Sequence, residues 1–412
     1  MENSNHFWGI ENPEQLVQKY GTPLYVYNET ILRERVREMK RLVNYDKFIV
    51  DYSMKANSNP ALLKLLREES VEVDVMSPGE IYIAMSAGFK PEEIFFICNN
   101  VSEDEMKFAI DKGIKISIDS LSQLEQYGQL APGSKVALRI NPGIGAGHHA
   151  KVVTGGKSTK FGINPDMVDE IEDICKKYNL KVTGINQHIG SLFLECDEYL
   201  KSIDSLFEFS LNFHDLDFID FGGGFGVPYN KSTDRHRLPL DKLGHSLLKH
   251  IREFNLRYGK ELYYRIEPGR YIAAECGCLL GRVHAVKKNH ATYIGTDIGF
   301  NTLMRPILYD SYHEIDLYRN GTLIEDTIDR KPVTIVGNIC ESGDILAKDR
   351  SMPSIKKGDI LAVKNAGAYG HVMSSNYNGR LRPAEVLITS SGTSKLIRKR
   401  DSYENLIENY IF

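Results

Sequence analysis

Seven short segments hold residue types that could do chemistry, five of them with glycines that let a ligand approach the backbone. The first is Tyr52-Ser53-Met54-Lys55-Ala56-Asn57. A lysine at the end of an apolar strand can be desolvated and can bond covalently to a carbonyl group. His188-Ile189-Gly190-Ser191 offers an imidazole and a hydroxyl three residues apart. Phe221-Gly222-Gly223-Gly224-Phe225-Gly226 and Glu267-Pro268-Gly269-Arg270 are glycine-bearing turns of the kind that present backbone amides to a phosphate. Met304-Arg305-Pro306-Ile307-Leu308-Tyr309 carries a cation and a phenol able to hold a carboxylate. Cys340-Glu341-Ser342-Gly343-Asp344 sets a proton donor beside a carboxylate, and Ala366-Gly367-Ala368-Tyr369-Gly370 adds a second phenol. Asp74, followed by Ser77 and Glu80, is a further acidic candidate. Taken singly, each also fits a plainer role: a strand-edge lysine, a packed turn, a core histidine, a buried cysteine, a helix cap.

The elements that must position these groups alternate strand and helix. Strands are expected at 48–52, 71–75, 94–98, 115–118, 135–140, 181–189, 218–221 and 261–267. Helices are expected between most of them. Leu32, Val36, Met39 and Val43 form one helical stripe behind a cap at Asn28. Ser102 and Glu105 spell a capping box. Eight such units match the length of a (β/α)8 barrel, whose reactive groups gather at the C-terminal ends of its strands. Lys55, Asp74, His188, Gly224 and Glu267 all lie at or just past strand ends on this reading. The loops after the seventh and eighth strands, where barrels commonly bind phosphate, are the two glycine-bearing ones. An open doubly wound sheet would place a GxGxxG turn after its first strand, and none follows Phe48–Tyr52. Beyond about Val283 the pattern changes to short β segments: 283–286, 292–296, 333–336, 360–363 and 385–388. Leu24–Tyr27 is an extended run that could join them. The expected organisation is a barrel over 28–275 and a β domain built from 1–27 and 276–412.

Composition narrows the classes. The 412 residues hold 51 Lys and Arg against 55 Asp and Glu, a net charge of −4, with no basic face for nucleic acid. The polar stretch Met1–Glu14 lacks the apolar core of a secretory leader, and no apolar run is long enough for a membrane helix. The six cysteines include no CxxC pair, which argues against a disulfide scaffold or a cysteine-rich metal site and for a reducing, cytoplasmic setting.

In order along the chain, YSMKAN, HIGS, GGGFG, EPGR, MRPILY, CESGD and AGAYG resemble the pyridoxal-phosphate-dependent decarboxylases with an alanine-racemase-like barrel. The likeness runs from Gly21-Thr22-Pro23-Leu24-Tyr25 to Arg382-Pro383-Ala384-Glu385. Seven motifs in one order are far more specific than any one of them. The resemblance implies pyridoxal 5'-phosphate as cofactor, with Lys55 as the lysine that carries it. It implies that His188 stacks on the cofactor ring and that Glu267 pairs with the ring nitrogen. Asp74 joins the cofactor site, and Ser191, Gly224, Gly269, Arg270 and Tyr369 cradle the phosphate. Arg270, Arg305, Tyr309, Glu341 and Tyr369 would bind substrate, and Cys340 would return a proton to the carbanion.

Within that family the motif set is most similar to the members that convert meso-2,6-diaminopimelate to L-lysine and CO2. An arginine and a glutamate together suit a zwitterionic distal centre. Relatives acting on a carrier-bound glutamyl group, arginine or ornithine are the alternative, and a racemase of this barrel type would put tyrosine where Cys340 stands. The resemblance further implies a homodimer whose Cys–Glu loop serves the neighbouring subunit. It aligns 147–156 with a variable loop, expected to act as a lid.

Overall fold

Side-chain caps fix where the barrel's helices begin. In the computed structural model, which describes residues 7–143, 159–234, 236–325 and 328–412 and the backbone of Ala146–Gly147, Asn59 accepts from the Ala61 amide ahead of helix Pro60–Glu68. Ser77 opens Pro78–Ser86 and Ser120 opens Leu121–Leu130 in the same manner. Ser102 and Glu105 form the expected reciprocal box before Glu103–Asp111. Each cap satisfies an amide that no helical turn can reach and contributes about 1 kcal/mol. Asn28 likewise accepts from Ile31 at the start of Glu29–Lys40.

All eight expected strands form, and they close into a parallel barrel. They are Phe48–Ser53, Glu72–Val75, Ile94–Ile97, Lys115–Ile118, Lys135–Arg139, Lys181–Asn186, Phe218–Asp220 and Tyr263–Ile266. The eighth returns to pair with the first, Tyr264 opposite Phe48. Strands covered on both faces lose the alternation of a half-exposed sheet, which is why they read as apolar runs. The barrel interior also holds charge. Arg265 of the eighth strand makes two hydrogen bonds to Asp51 of the first, at 2.6 and 2.8 Å, and one to Glu72 of the second. Its guanidinium lies 6.0 Å from the Phe95 ring centroid and 5.6 Å from that of Phe218. Opposite Phe218, a Cβ on Gly184 would meet the ring at 2.2 Å, so only glycine leaves room for it.

This barrel unit comprises Arg35–Pro228 and His236–Ile272. The second unit gathers Met1–Glu34, Tyr229–Arg235 and Ala273–Phe412. Its ten-stranded sheet takes in Leu24–Asn28, fully buried, antiparallel to Gly277–Lys288 and parallel to Ala384–Ile388. Trp8, Leu16, Val26, Leu280, Ile360 and Val386 pack into one core there. Four of its strands, Ile315–Arg319, Thr322–Leu323, Ile345–Met352 and Ser394–Arg398, are additional to those expected from sequence. The short segment Tyr229–Arg235 groups with this unit although it lies within the 28–275 span: the Tyr229 ring rests against His313 and Arg305, and the Lys231 amide donates to Glu314. No helix among the described residues is long and apolar enough to cross a membrane. The expected lid lies outside the described residues over 148–156.

Candidate active site

Six of the barrel's strand ends carry the polar side chains of the site. Lys55 lies in the single 3-10 turn Met54–Ala56 that leaves the first strand, with its side chain one-third exposed. Its Nζ is 3.5 Å from Oδ2 of Asp74, which is wholly buried at the second strand. Burial pushes the Asp74 pKa from 3.8 up to about 7, against the pull of Lys55 and with a further push from Glu267. Arg139, buried at the end of the fifth strand, stacks its guanidinium 4.6 Å from the Phe161 ring.

Past the sixth strand, His188 accepts the Gly223 amide at Nδ1, 3.2 Å away. Burial first, then the charges of Lys55 and Arg139, hold its pKa well below the usual imidazole value. A ring that accepts at Nδ1 and resists protonation is neutral, so the 3.4 Å approach of Glu267 Oε2 to the same nitrogen is a contact and not an ion pair. Ser191 Oγ accepts from Arg270 Nε and Nη2 at 3.2 and 2.9 Å, joining the His188 loop to the loop after the eighth strand.

The seventh strand ends in Asp220, then the glycine run. Asp220 Oδ1 accepts the Gly222 amide at 2.8 Å. Burial, then the charges of Glu267 and Asp51, push the Asp220 carboxyl well up. Burial also raises Glu267, opposed by Lys55 and Arg139. Glycine is obligatory beside it. A Cβ on Gly223 would stand 2.1 Å from the Glu267 carbonyl, and one on Gly222, at φ +73°, 2.1 Å from the Gln187 carbonyl.

The β unit positions the other candidates. Asp344 shapes the Cys340 loop by accepting the Phe300 and Ile339 amides, both at 2.7 Å. Cys340 is exposed and its amide donates to Asn378. Glu341 accepts from the Tyr377 hydroxyl at 2.5 Å. Tyr369, itself half-buried, sits at φ +55° in an otherwise buried loop whose Ala366 and Gly367 amides donate to the Gly277 and Ala274 carbonyls. Arg305 and Tyr309 share the short helix Arg305–Tyr309. Arg305 is only 1% exposed and donates to His313 Nε2 at 2.8 Å, with its guanidinium 4.4 Å from the Tyr229 ring centroid.

These groups fit pyridoxal phosphate. A lysine stands where a carbonyl could be bonded. A buried Glu267 oxygen has no hydrogen-bond partner among the described residues and suits a protonated ring nitrogen. The glycine run packs its backbone against Gln187, Gly190 and Glu267 more closely than any Cβ would allow, so a phosphate there would meet main chain and not side chains.

Comparison with known proteins agrees. Residues 29–274 match the family model of the pyridoxal binding domain of pyridoxal-dependent decarboxylases. A diaminopimelate decarboxylase of Methanothermobacter thermautotrophicus is 40% identical over 402 residues, covering 95% of this chain and 92% of that protein. The chain belongs to the diaminopimelate decarboxylase family. Another such relative, from Aquifex aeolicus, is 37% identical over 408 residues, 96% of this chain and 93% of its own length. Among solved structures, diaminopimelate decarboxylase of Helicobacter pylori complexed with L-lysine superimposes with a TM-score of 0.87 at 31% identity, covering 96% of this chain and 98% of that one.

Three groups in this diaminopimelate decarboxylase-family chain escaped the sequence reading: Arg139, Asp220 and His313. The first two stand at strand ends, directly before Ile140-Asn141-Pro142-Gly143 and the glycine run, and that position was the available signal. His313 carried none, because what singles it out is its hydrogen bond to Arg305, eight residues earlier, which no motif or spacing marks.

Proposed function

We propose that the protein decarboxylates meso-2,6-diaminopimelate to L-lysine and CO2 with pyridoxal 5'-phosphate. The observation that carries this reading is the Lys55–Asp74 pair at the barrel's C-terminal rim, in a chain matched over almost its whole length by diaminopimelate decarboxylases. The cofactor, when bound, supplies an electron-poor ring that takes up the electron pair left behind as CO2 departs.

Lys55 holds the cofactor covalently, with Asp74 as its counter-charge. His188, held neutral, would pack against the cofactor ring. Glu267 would keep a proton on the ring nitrogen, its own Oε1 being without a hydrogen-bond partner among the described residues. Ser191, Gly224, Gly269 and Arg270 bind the phosphate through amides and hydroxyl, with Tyr369 adding a second hydroxyl. Arg270, Arg305, Tyr309 and Tyr369 take substrate carboxylate, and Glu341 takes the distal ammonium. Each such charge-assisted bond contributes about 1.5–3 kcal/mol. Cys340 delivers the proton to the carbon that lost CO2.

The working form is a homodimer in which the Cys340–Glu341 loop of one copy serves the barrel of the other. The exposure of Cys340, Glu341 and Tyr377 on the surface of a single chain supports this. The setting is the cytoplasm, in keeping with six unpaired cysteines.

The test is CO2 release from meso-diaminopimelate, ornithine, arginine and lysine, with the bound cofactor's visible absorption followed in parallel. The reading requires strong preference for meso-diaminopimelate and loss of the absorption band in Lys55→Ala. Faster turnover of ornithine, or a band that survives in Lys55→Ala, would overturn it.

A further inference from the structure

We infer that His313 is the positioning residue for Arg305, and that through Nε2 it sets the preference of the site for ligands bearing a distal carboxylate. This rests on the substrate role given to Arg305 above.

The geometry fixes the imidazole unambiguously. His313 is buried, and its Nδ1 is 2.8 Å from the Lys364 carbonyl, which can only accept. Nδ1 therefore carries the hydrogen. Nε2 is left as a lone pair, and the group that faces it at 2.8 Å is Arg305 Nη1, which can only donate. Carbonyl, imidazole and guanidinium thus form one chain of hydrogen bonds with a single allowed direction.

The imidazole is itself held rigidly. Its backbone carbonyl accepts from Arg350 Nη1 at 2.7 Å, and the neighbouring Glu314 carbonyl accepts the Lys364 amide at 2.9 Å. Tyr229 completes the clamp. Its ring meets His313 edge-on, at 5.3 Å and 77°, and lies 4.4 Å from the Arg305 guanidinium. A guanidinium tied at one nitrogen and stacked on a ring keeps one plane. A carboxylate is recognised in that plane through two parallel N–H bonds, so rotation about it would forfeit the fork.

The segment Tyr229–Arg235 thereby gains a reason to depart from the barrel unit: it brings the ring that sets the Arg305 plane. Arg305 and Arg350 are the cations that hydrogen-bond His313, at its ring and at its backbone carbonyl; Lys364 meets the ring through its own carbonyl, its ammonium pairing with Asp316, and Glu314 is the acidic neighbour in sequence.

Two ligands separate the carboxylate from everything else in the distal group. L-Lysine carries it; 1,5-diaminopentane is the same molecule without it. The experiment measures inhibition constants of both against the holoenzyme with meso-diaminopimelate, for wild type, His313→Gln, His313→Asn, Arg305→Ala and Arg305→Ala with His313→Asn. Glutamine places an amide oxygen where Nε2 stands. Asparagine keeps only the contact to the Lys364 carbonyl.

Glutamine should keep the wild-type preference for L-lysine, whereas asparagine should lose about tenfold or more of it, the worth of a charge-assisted bond. Asparagine should add nothing to Arg305→Ala, because the two act as one unit. An asparagine variant that keeps the preference would overturn the inference. So would variants that weaken both ligands equally, since a general packing lesion does that. If Arg305→Ala leaves the preference intact, the substrate role of Arg305 falls and this inference falls with it. If Arg305→Ala lowers the preference and His313→Asn does not, only this inference falls.

Discussion

Replacing Asp74 with asparagine tests the electrostatics of the barrel rim most directly. The carboxyl is wholly buried, 3.5 Å from Lys55, and titrates at about 7 in the folded chain against 3.8 for a free aspartate. The folded state therefore binds this proton more tightly than the unfolded state does. The stability it confers is complete below the unfolded value and is lost as pH rises through about 7. The gap corresponds to about 4 kcal/mol at full ionisation. Asparagine cannot ionise and escapes that cost. In the cofactor-free protein, Asp74→Asn should gain on wild type by about 2–3 kcal/mol between about pH 5 and about pH 8, as the wild-type group discharges its proton. Urea unfolding at the two pH values, with the slope held common, gives the difference between the proteins, so other raised carboxyls such as Asp220 and Glu267 cancel. The reasoning is refuted if the variant loses ground on wild type as pH rises. That result would mean that the Asp74–Lys55 pair repays the burial of its charge.

Three further outcomes are expected. Arg265→Met leaves Asp51 buried without its partner and should lower stability by about 3–5 kcal/mol in thermal or urea unfolding, with partial recovery when Asp51→Asn is added. Gly223→Ala forces a Cβ to within 2.1 Å of the Glu267 carbonyl, and the loop must shift; cofactor content should fall and stability drop by about 1–3 kcal/mol. Mixing Lys55→Ala with Cys340→Ala subunits should restore activity, since one site of each mixed dimer would be intact; no recovery after verified subunit exchange would place lysine and cysteine of one chain in the same site.

The barrel was legible because its signals are local. Caps such as Ser102–Glu105 and apolar runs of strand length mark each unit without reference to the rest of the chain. The β unit was only partly so. Ile345–Met352 carries Lys348, Asp349 and Arg350 in succession, and Ser394–Arg398 is mostly polar, so what makes them strands is the partner each pairs with. The site divides in the same manner. Lys55, His188 and Glu267 announce themselves through neighbouring glycines and strand ends. Asp220 and Arg139 are charged residues in strands, which ordinarily signals a solvent face; only barrel closure puts them inside. Arg305 was expected to present its guanidinium to a substrate carboxylate. The fold turns that guanidinium onto His313 and Tyr229 as well, a constraint that no local pattern encodes.

The strand Leu24–Asn28 has a consequence for synthesis. Its two neighbours, Gly277–Lys288 and Ala384–Ile388, follow the whole barrel sequence in the chain and are made after it. Throughout that interval a Leu-Tyr-Val-Tyr segment that is fully buried in the finished protein has no sheet to join. Such an apolar edge is open to pairing with a neighbouring nascent chain. The order of manufacture thus makes the earliest strand the last to be satisfied.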